Sequence, residues 1–297
     1  MQQLLKNTGR DLFILHLTVV VWGFTGILGR LISIDAVHLV WYRVGIASLS
    51  LLIYFILTKK KLKVTPKQLI QYFLTGGVVA IHWILFFYAI KVSTVSVALV
   101  ALSAATLFTS IIEPLVKKKK ILIQDVIIGL VIISGIILIF KFESQYTLGI
   151  AAGLLSAVGS ALFATINSTL VQKNDAKVIG FYELAGAFTW VCIYRLFDGS
   201  LLKESLDLTV KDWFYLVILG TVCTALAYVA GVTVMRSLSA FRVALITNLE
   251  PVYGIVLAFI FFGSGEQMTN GFYIGTLLIL SAIFLYPIYK KRKGIDH

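Results

Sequence analysis

Glu250 and Pro251 stand side by side in "ITNLEPVYGIVLAF" (246–259), an almost wholly apolar stretch that also holds Asn248. A carboxylate in such surroundings is costly unless paired or protonated, and proline removes one helix hydrogen bond and crowds the turn before it. Glu250 falls about eleven residues into its apolar run, near the middle of a membrane at ~1.5 Å per residue. A charge there costs roughly 2.5–3.5 kcal/mol on insertion scales, which many apolar neighbours at about −0.3 to −0.6 kcal/mol each offset. The pair suits the inner wall of a cavity, where a freed carbonyl finds a partner. A glutamate that only locks two helices together is the alternative.

Other polar side chains stand in comparable runs. Arg43 lies about seven residues, or ~10 Å, from the end of its run, close enough to snorkel outward or to meet a carboxylate or substrate. Glu183 occupies a related depth near the opposite surface and could equally cap or face the interface. His82, in "AIHWILFFY", suits either helix packing or a cavity wall. Glu113 sits one turn from Lys117 and pairs naturally with the lysine run 117–120. Asn167 and Asn248 need partners within their helices, so interhelical bonding competes with a cavity role. Trp22, Trp83, Tyr88, Tyr182, Tyr228 and Tyr253 could build an aromatic wall, though interfacial belts also use aromatics. Cys192 and Cys223 lack metal-ligand spacing and read as small apolar residues.

The elements that must position these residues are apolar spans. Of 297 residues, 59% are hydrophobic and only 13% charged, and mean hydropathy is +0.94. A soluble domain would carry about 25% charge. Ten runs suffice, with their flanks, to cross a membrane: roughly 12–32, 36–57, 67–90, 92–116, 121–140, 147–171, 178–197, 213–234, 239–262 and 268–289. The first run lacks a small-residue cleavage pattern and is one of a series, so it reads as retained. The longest break, 198–212, is a mixed-charge loop with room for a short amphipathic turn. Gly23, Gly26, Gly29, Gly76 and Gly77 read as sites of close helix packing.

Charge placement gives an orientation. With both ends cytoplasmic, inner segments hold nineteen of the 26 basic residues, as the positive-inside rule requires. The net charge of +12, spread over many loops, points to anionic lipid headgroups at the cytoplasmic face and away from nucleic acid.

The chain also repeats. Sliding 97–140 forward by 146 residues lays "VAL" (97–99) on "VAL" (243–245), Gly129 on Gly275, Ile133 on Ile279 and Ile137 on Ile283. With slightly smaller offsets "VWYRVG" faces "GFYELAG". The repeat divides the chain into 1–142 and 143–297, each with five helices. An odd number makes the halves point opposite ways, the inverted-repeat signature of carriers that bind near the midplane.

"WGFTGILGR" in the first run, "NLEPVYGIVLAFIFFGSGE" in the ninth and the doubled five-helix unit resemble the EamA-like branch of the drug/metabolite transporter superfamily. The resemblance spans nearly the whole chain, its most specific part being the proline-bearing ninth helix ending at Gly265 and Glu266. The first half departs from the family pattern at "SAATLFTSIIEPLVKKKK", where Pro114 is displaced. The resemblance implies an all-α polytopic membrane protein of ten transmembrane helices. It implies a secondary carrier, commonly an exporter of amino acids or small metabolites. Its central cavity would be lined by helices one to four and six to nine, with five and ten peripheral.

The combined reading is a transporter of a small-molecule substrate in the cytoplasmic membrane. The expected cavity residues are Trp22, Arg43, His82, Trp83, Tyr182, Glu183, Tyr228, Asn248 and Glu250, with Pro251 and Pro114 as bend points. Coupling to protons through Glu250 fits its depth. No cofactor or metal is expected. Gly-rich phosphate loops and His-Glu-x-x-His are absent from the sequence, which argues against enzymatic readings and an intrinsic ATP drive. A passive channel or facilitator and, more remotely, a membrane-embedded enzyme are the rivals.

Overall fold

A computed structural model describes residues 2–200 and 208–293. Its helices are α1 (Gln2–Leu31), α2 (Ala36–Thr58), α3 (Pro66–Val92), α4 (Val95–Leu102), α5 (Ala105–Val116), α6 (Ile123–Phe142), α7 (Thr147–Leu170), α8 (Ala176–Phe197), α9 (Val210–Gly220), α10 (Ala227–Val234), α11 (Ala240–Thr247), α12 (Glu250–Phe262) and α13 (Asn270–Lys293). Three pairs are single spans in pieces: α4 with α5, α9 with α10, and α11 with α12. Among the described residues eight helices or helix pairs are long and apolar enough to cross a membrane, and α6 and α13 supply two further apolar helices. The amphipathic turn expected within 198–212 would fall largely on 201–207, outside the described residues.

Short polar caps start these helices where the loops end. Asp35 accepts hydrogen bonds from the backbone of Val37 and His38, and Thr65 and Gln68 form a reciprocal box at the start of α3. Thr94 and Ser239 cap α4 and α11, the corresponding helices of the two halves. Each cap satisfies backbone N–H groups that have no partner inside the helix.

The halves also cap each other. At the end of α5, Glu113 accepts from the backbone N–H groups of Ala240 (3.1 Å) and Phe241 (2.7 Å), which open α11. Beyond α12, Glu266 accepts from Val95 (3.1 Å) and Ser96 (3.0 Å), which open α4. A basic side chain backs each carboxylate: Lys117 lies 2.6 Å from Glu113, and Arg30 lies 3.4 Å from Glu266. Burial in apolar surroundings makes such charge-assisted bonds strong and their loss expensive.

Helices α6 and α13 pack against one another. A Cβ added to Gly135 would lie 2.8 Å from the Gly275 carbonyl oxygen, and one added to Gly275 would lie 2.7 Å from that of Gly135. Two glycines thus bring the backbones together, as small residues do between membrane helices. The Tyr286 hydroxyl donates to Asp125 across the same interface. Exposed Phe197, Ile260 and Leu277 present apolar surface outward, as lipid contact requires.

Candidate functional site

The two halves meet at paired interruptions. Between α4 and α5, Ser103 and Ala104 make tight bonds to the carbonyls of Val100 (3.1 Å) and Ala101 (3.2 Å). Between α11 and α12, the Leu249 N–H reaches the Ile246 carbonyl at 3.0 Å, and Pro251 follows with no N–H to offer the carbonyl one turn back. The Asn248 amide donates to the Thr106 hydroxyl at 2.6 Å, tying the interruptions together. Pro251 thus stands in the first turn after a break between α11 and α12. Pro114 does not. It lies inside α5 close to its end, where too little helix remains beyond it to swing, and the interruption of that span falls at Ser103 and Ala104.

A cavity opens beside the paired breaks. Glu250 and Pro251 line it from the first turn of α12, where the helix dipole favours a carboxylate. Asn248 lines it too, and Arg43 enters from α2, its charge within electrostatic reach of the Glu250 carboxylate. Arg43 is buried, with its Nε donating to the Thr224 hydroxyl at 2.7 Å. Its guanidinium lies over the Trp83 ring, 4.1 Å from the centroid, and 5.3 Å from that of Phe87. Arginine suits this place because a planar guanidinium stacks on aromatic faces and still presents donors at its edge. Its Nη1 has no hydrogen-bond partner.

Aromatic side chains form much of the remaining wall. Trp83 meets Tyr228 edge to face at 5.8 Å, and Phe163 packs against both His82 and Tyr228. Trp22 closes another side; a Cβ on Gly231 of α10 would come within 2.8 Å of its ring, so that glycine makes its room. His82 also lines the cavity, held through Nδ1 by Ser156 of α7 at 2.8 Å. It is thus a helix-packing residue and a wall residue together.

Two expected wall residues stand elsewhere. Tyr182 and Glu183 are not among the lining residues. The Tyr182 hydroxyl donates to the Leu62 carbonyl at 2.7 Å and its ring stacks on Tyr72, which turns it toward the loop after α2. Glu183, one residue on and about 100° around the helix, is fully buried and bonded to Tyr228 and Asn167. None of the lining residues comes from 121–140 or 268–289.

The sequence did not point to Thr224. It belongs to a π-helical stretch, Thr221–Leu226, where its hydroxyl donates to the Leu219 carbonyl five residues back. Such bulges are rare and often sit at functional positions. Nothing in the hydropathy of "TVCTALAY" distinguishes a π turn from ordinary helix. Among the described residues no group of three or more His, Cys, Asp or Glu could hold a metal ion.

Ten helices, two repeated halves and a cavity at paired helix breaks define a multi-pass integral membrane protein of transporter architecture. The sequence profile described as the EamA-like transporter family matches residues 11–141 and again 147–286. The chain belongs to the EamA-like transporter family. It is therefore a membrane transporter for a small-molecule substrate, not an enzyme. A curated protein of Archaeoglobus fulgidus described as an uncharacterized transporter is 24% identical over 290 residues, 94% of this chain and 98% of its own length. The uncharacterized transporter YetK of Bacillus subtilis is 23% identical over 139 residues, 47% of this chain and 41% of its own. One solved crystal structure shares the fold with a TM-score of 0.71 at 14% identity, covering 95% of this chain and 99% of that one.

Proposed function

We propose that the protein is a secondary active exporter of small zwitterionic metabolites such as amino acids, working by alternating access between halves 1–142 and 143–297. The observation that carries this reading is one carboxylate, Glu250, and one guanidinium, Arg43, on the wall of a single aromatic cavity. Arg43, with an unpaired Nη1, receives a substrate carboxylate. Glu250 receives the amine, and Trp22, Trp83 and Tyr228 enclose the side chain.

Glu250 also carries the coupling proton in this reading. It takes a proton when the cavity opens to one side and releases it on the other, while substrate amine and proton compete for the same carboxylate. Differential affinity of the two states is what such coupling needs. Pro251 and the break before it give the helix a place to bend. Both termini face the cytoplasm, the basic loops rest on anionic headgroups, and the cytoplasmic membrane is the site of action.

The test is transport by purified protein in liposomes, with Glu250→Gln beside wild type. The reading expects the variant to lose proton-driven accumulation but keep counterflow exchange. Unchanged proton-driven uptake with an unchanged pH profile would remove Glu250 from coupling. Non-saturable flux without counterflow in the wild type would make the protein a passive channel instead.

A further inference from the structure

Two lysines converge on one tyrosine where α2 ends and α8 begins. Lys59 takes a left-handed conformation, φ 50°, that closes α2. The next residue, Lys60, reaches back until its Nζ lies 5.8 Å from the centroid of the Tyr54 ring. Lys177, in the first turn of α8, brings its Nζ to 5.3 Å from the same centroid. The loop is also pinned to α8, because the Tyr182 hydroxyl donates to the Leu62 carbonyl at 2.7 Å. Among the described residues neither ammonium group forms a salt bridge. The carboxylate of Asp175 accepts from the backbone N–H of Lys177 at 2.8 Å and so serves the start of the helix.

Two like charges over one ring repel each other, and the ring attracts each only weakly where water has access. An anion between them turns that repulsion into attraction, and a phenol hydroxyl can donate to it as well. The kind of anion follows from what adjoins Lys177. Phe181, Ala185 and Phe188 follow one another at helical spacing on α8 and, with Gly45, Leu49 and Leu52 of α2, line an apolar groove of about 500 Å³. Lys177 stands one turn before Phe181 on that same face. Phe181 in turn meets Phe55, the neighbour of Tyr54, at 6.0 Å. From Lys177 to Phe188 the helix rises ~16 Å, about half of the ~30 Å hydrocarbon core and so the depth of one leaflet. A soluble phosphate leaves such a groove empty, whereas an anionic head on an acyl chain occupies both places.

We propose that Lys60, Lys177 and the Tyr54 hydroxyl hold the headgroup phosphate of one anionic phospholipid, whose acyl chain lies in the groove between α2 and α8. The leaflet is the one beside residues 59–65, whichever way the chain crosses the membrane. The site narrows the general attraction of basic loops for anionic headgroups, on which it rests, to one place in the fold. The bound lipid ties a helix of the first half to one of the second, outside the cavity.

The experiment is native mass spectrometry of the purified full chain in detergent, titrated with phosphatidylglycerol or with phosphatidylcholine of the same acyl chains. Thermal unfolding is recorded alongside. Wild type is expected to hold one phosphatidylglycerol saturably, in preference to phosphatidylcholine, and to melt higher with it. Lys60→Gln and Lys177→Gln should each weaken phosphatidylglycerol binding about fivefold, as loss of one lysine beside an anionic headgroup implies. Ala185→Phe, which fills the groove and leaves both lysines in place, should weaken it too. Lys60 is exposed, so its variant keeps the proposal testable should Ala185→Phe fail to fold. A variant carrying both Lys119→Gln and Lys120→Gln, exposed positions on another basic loop, should bind like wild type. Equal binding of the two lipids by wild type overturns this site and the general attraction together. Equal weakening by the control variant and the site variants leaves the attraction standing and overturns the site. Unchanged phosphatidylglycerol binding by the Lys60 and Lys177 variants, or by a folded Ala185→Phe, overturns the proposal as well.

Discussion

The guanidinium of Arg43 lies over the Trp83 ring, its Cζ 4.1 Å from the centroid, while its Nε donates to the Thr224 hydroxyl at 2.7 Å. The π-helical stretch supplies that hydroxyl, and the aromatic ring supplies attraction without consuming a donor. The arrangement leaves Nη1 of the guanidinium without a hydrogen-bond partner.

Arg43→Lys keeps the charge but gives up the Nε donor to Thr224 and the guanidinium contact with Trp83. Desolvated cation–π contacts are worth about 2 kcal/mol. Counterflow should therefore show a half-saturating substrate concentration about tenfold or more higher, and the melting temperature should fall as well, because the Trp83 contact and the Nε bond both lie within the protein. Thr224→Val should act on stability instead, leaving the buried Nε unpaired at about 1–3 kcal/mol, while Thr224→Ser stays near wild type. Equal transport by Arg43→Lys and wild type would separate Arg43 from substrate.

Gly76→Ala places a methyl 2.4 Å from the Glu183 carbonyl oxygen and 2.8 Å from the Ala187 nitrogen. Backbone atoms cannot step aside as a side-chain tip can, so α3 and α8 must separate, at about 1–3 kcal/mol. Gly9→Ala meets nothing within 4 Å and serves as the control. Thermal unfolding of the two variants in the same detergent checks the contrast; equal melting temperatures would contradict the packing.

Glu266→Ala leaves the N–H groups of Val95 and Ser96 without their carboxylate, and Glu113→Ala does the same for Ala240 and Phe241. Each loss should cost about 1–3 kcal/mol, read as a lower melting temperature. Glutamine at either position should recover part of it, because one amide oxygen still accepts. A mutant carrying alanine at 266 that melts with wild type would argue against cross-half capping.

Asp35, outside the spans, gives a pH signature. Burial by itself would raise its pKa, but hydrogen bonds from the His38 side chain and from the His38 and Val37 backbone outweigh burial and hold it below the ordinary 3.8. A carboxyl depressed by folding stabilises above its unfolded pKa, and that contribution is lost as pH falls through the folded value. Wild type should therefore lose melting temperature on acidification below the ordinary carboxyl range more steeply than Asp35→Ser, which keeps a cap and has no charge to lose. Parallel pH curves would count against it.

The spans were legible because twenty apolar residues in a row have few other uses, and "NLEPVYG" announced the break at Pro251 through a residue that cannot complete a helix. Arg43 and Glu250 were legible as charges too costly to place idly. Glu183 was legible as an important carboxylate but not as one behind the wall, since depth along a helix says nothing of the direction a side chain faces. Ser103 and Ala104 carry no breaker, so their interruption left no mark, while Pro114 lies inside α5. The reciprocal role of Glu113 and Glu266 joins residues 127 and 171 positions from their partners, beyond the reach of any local pattern.

That separation also sets an order of assembly. Ribosomes add about 5–20 residues per second, so when Val95 and Ser96 enter the bilayer, Glu266 lies 171 residues ahead, roughly ten to thirty seconds away at those rates. Through that interval the opening turn of α4 has no carboxylate from its own chain to satisfy it. Ala240 and Phe241 face no such wait, because Glu113 is already made when they emerge. Birth order thus treats the two halves unequally: the opening turn of α11 meets a carboxylate already made, and that of α4 waits for one still to come.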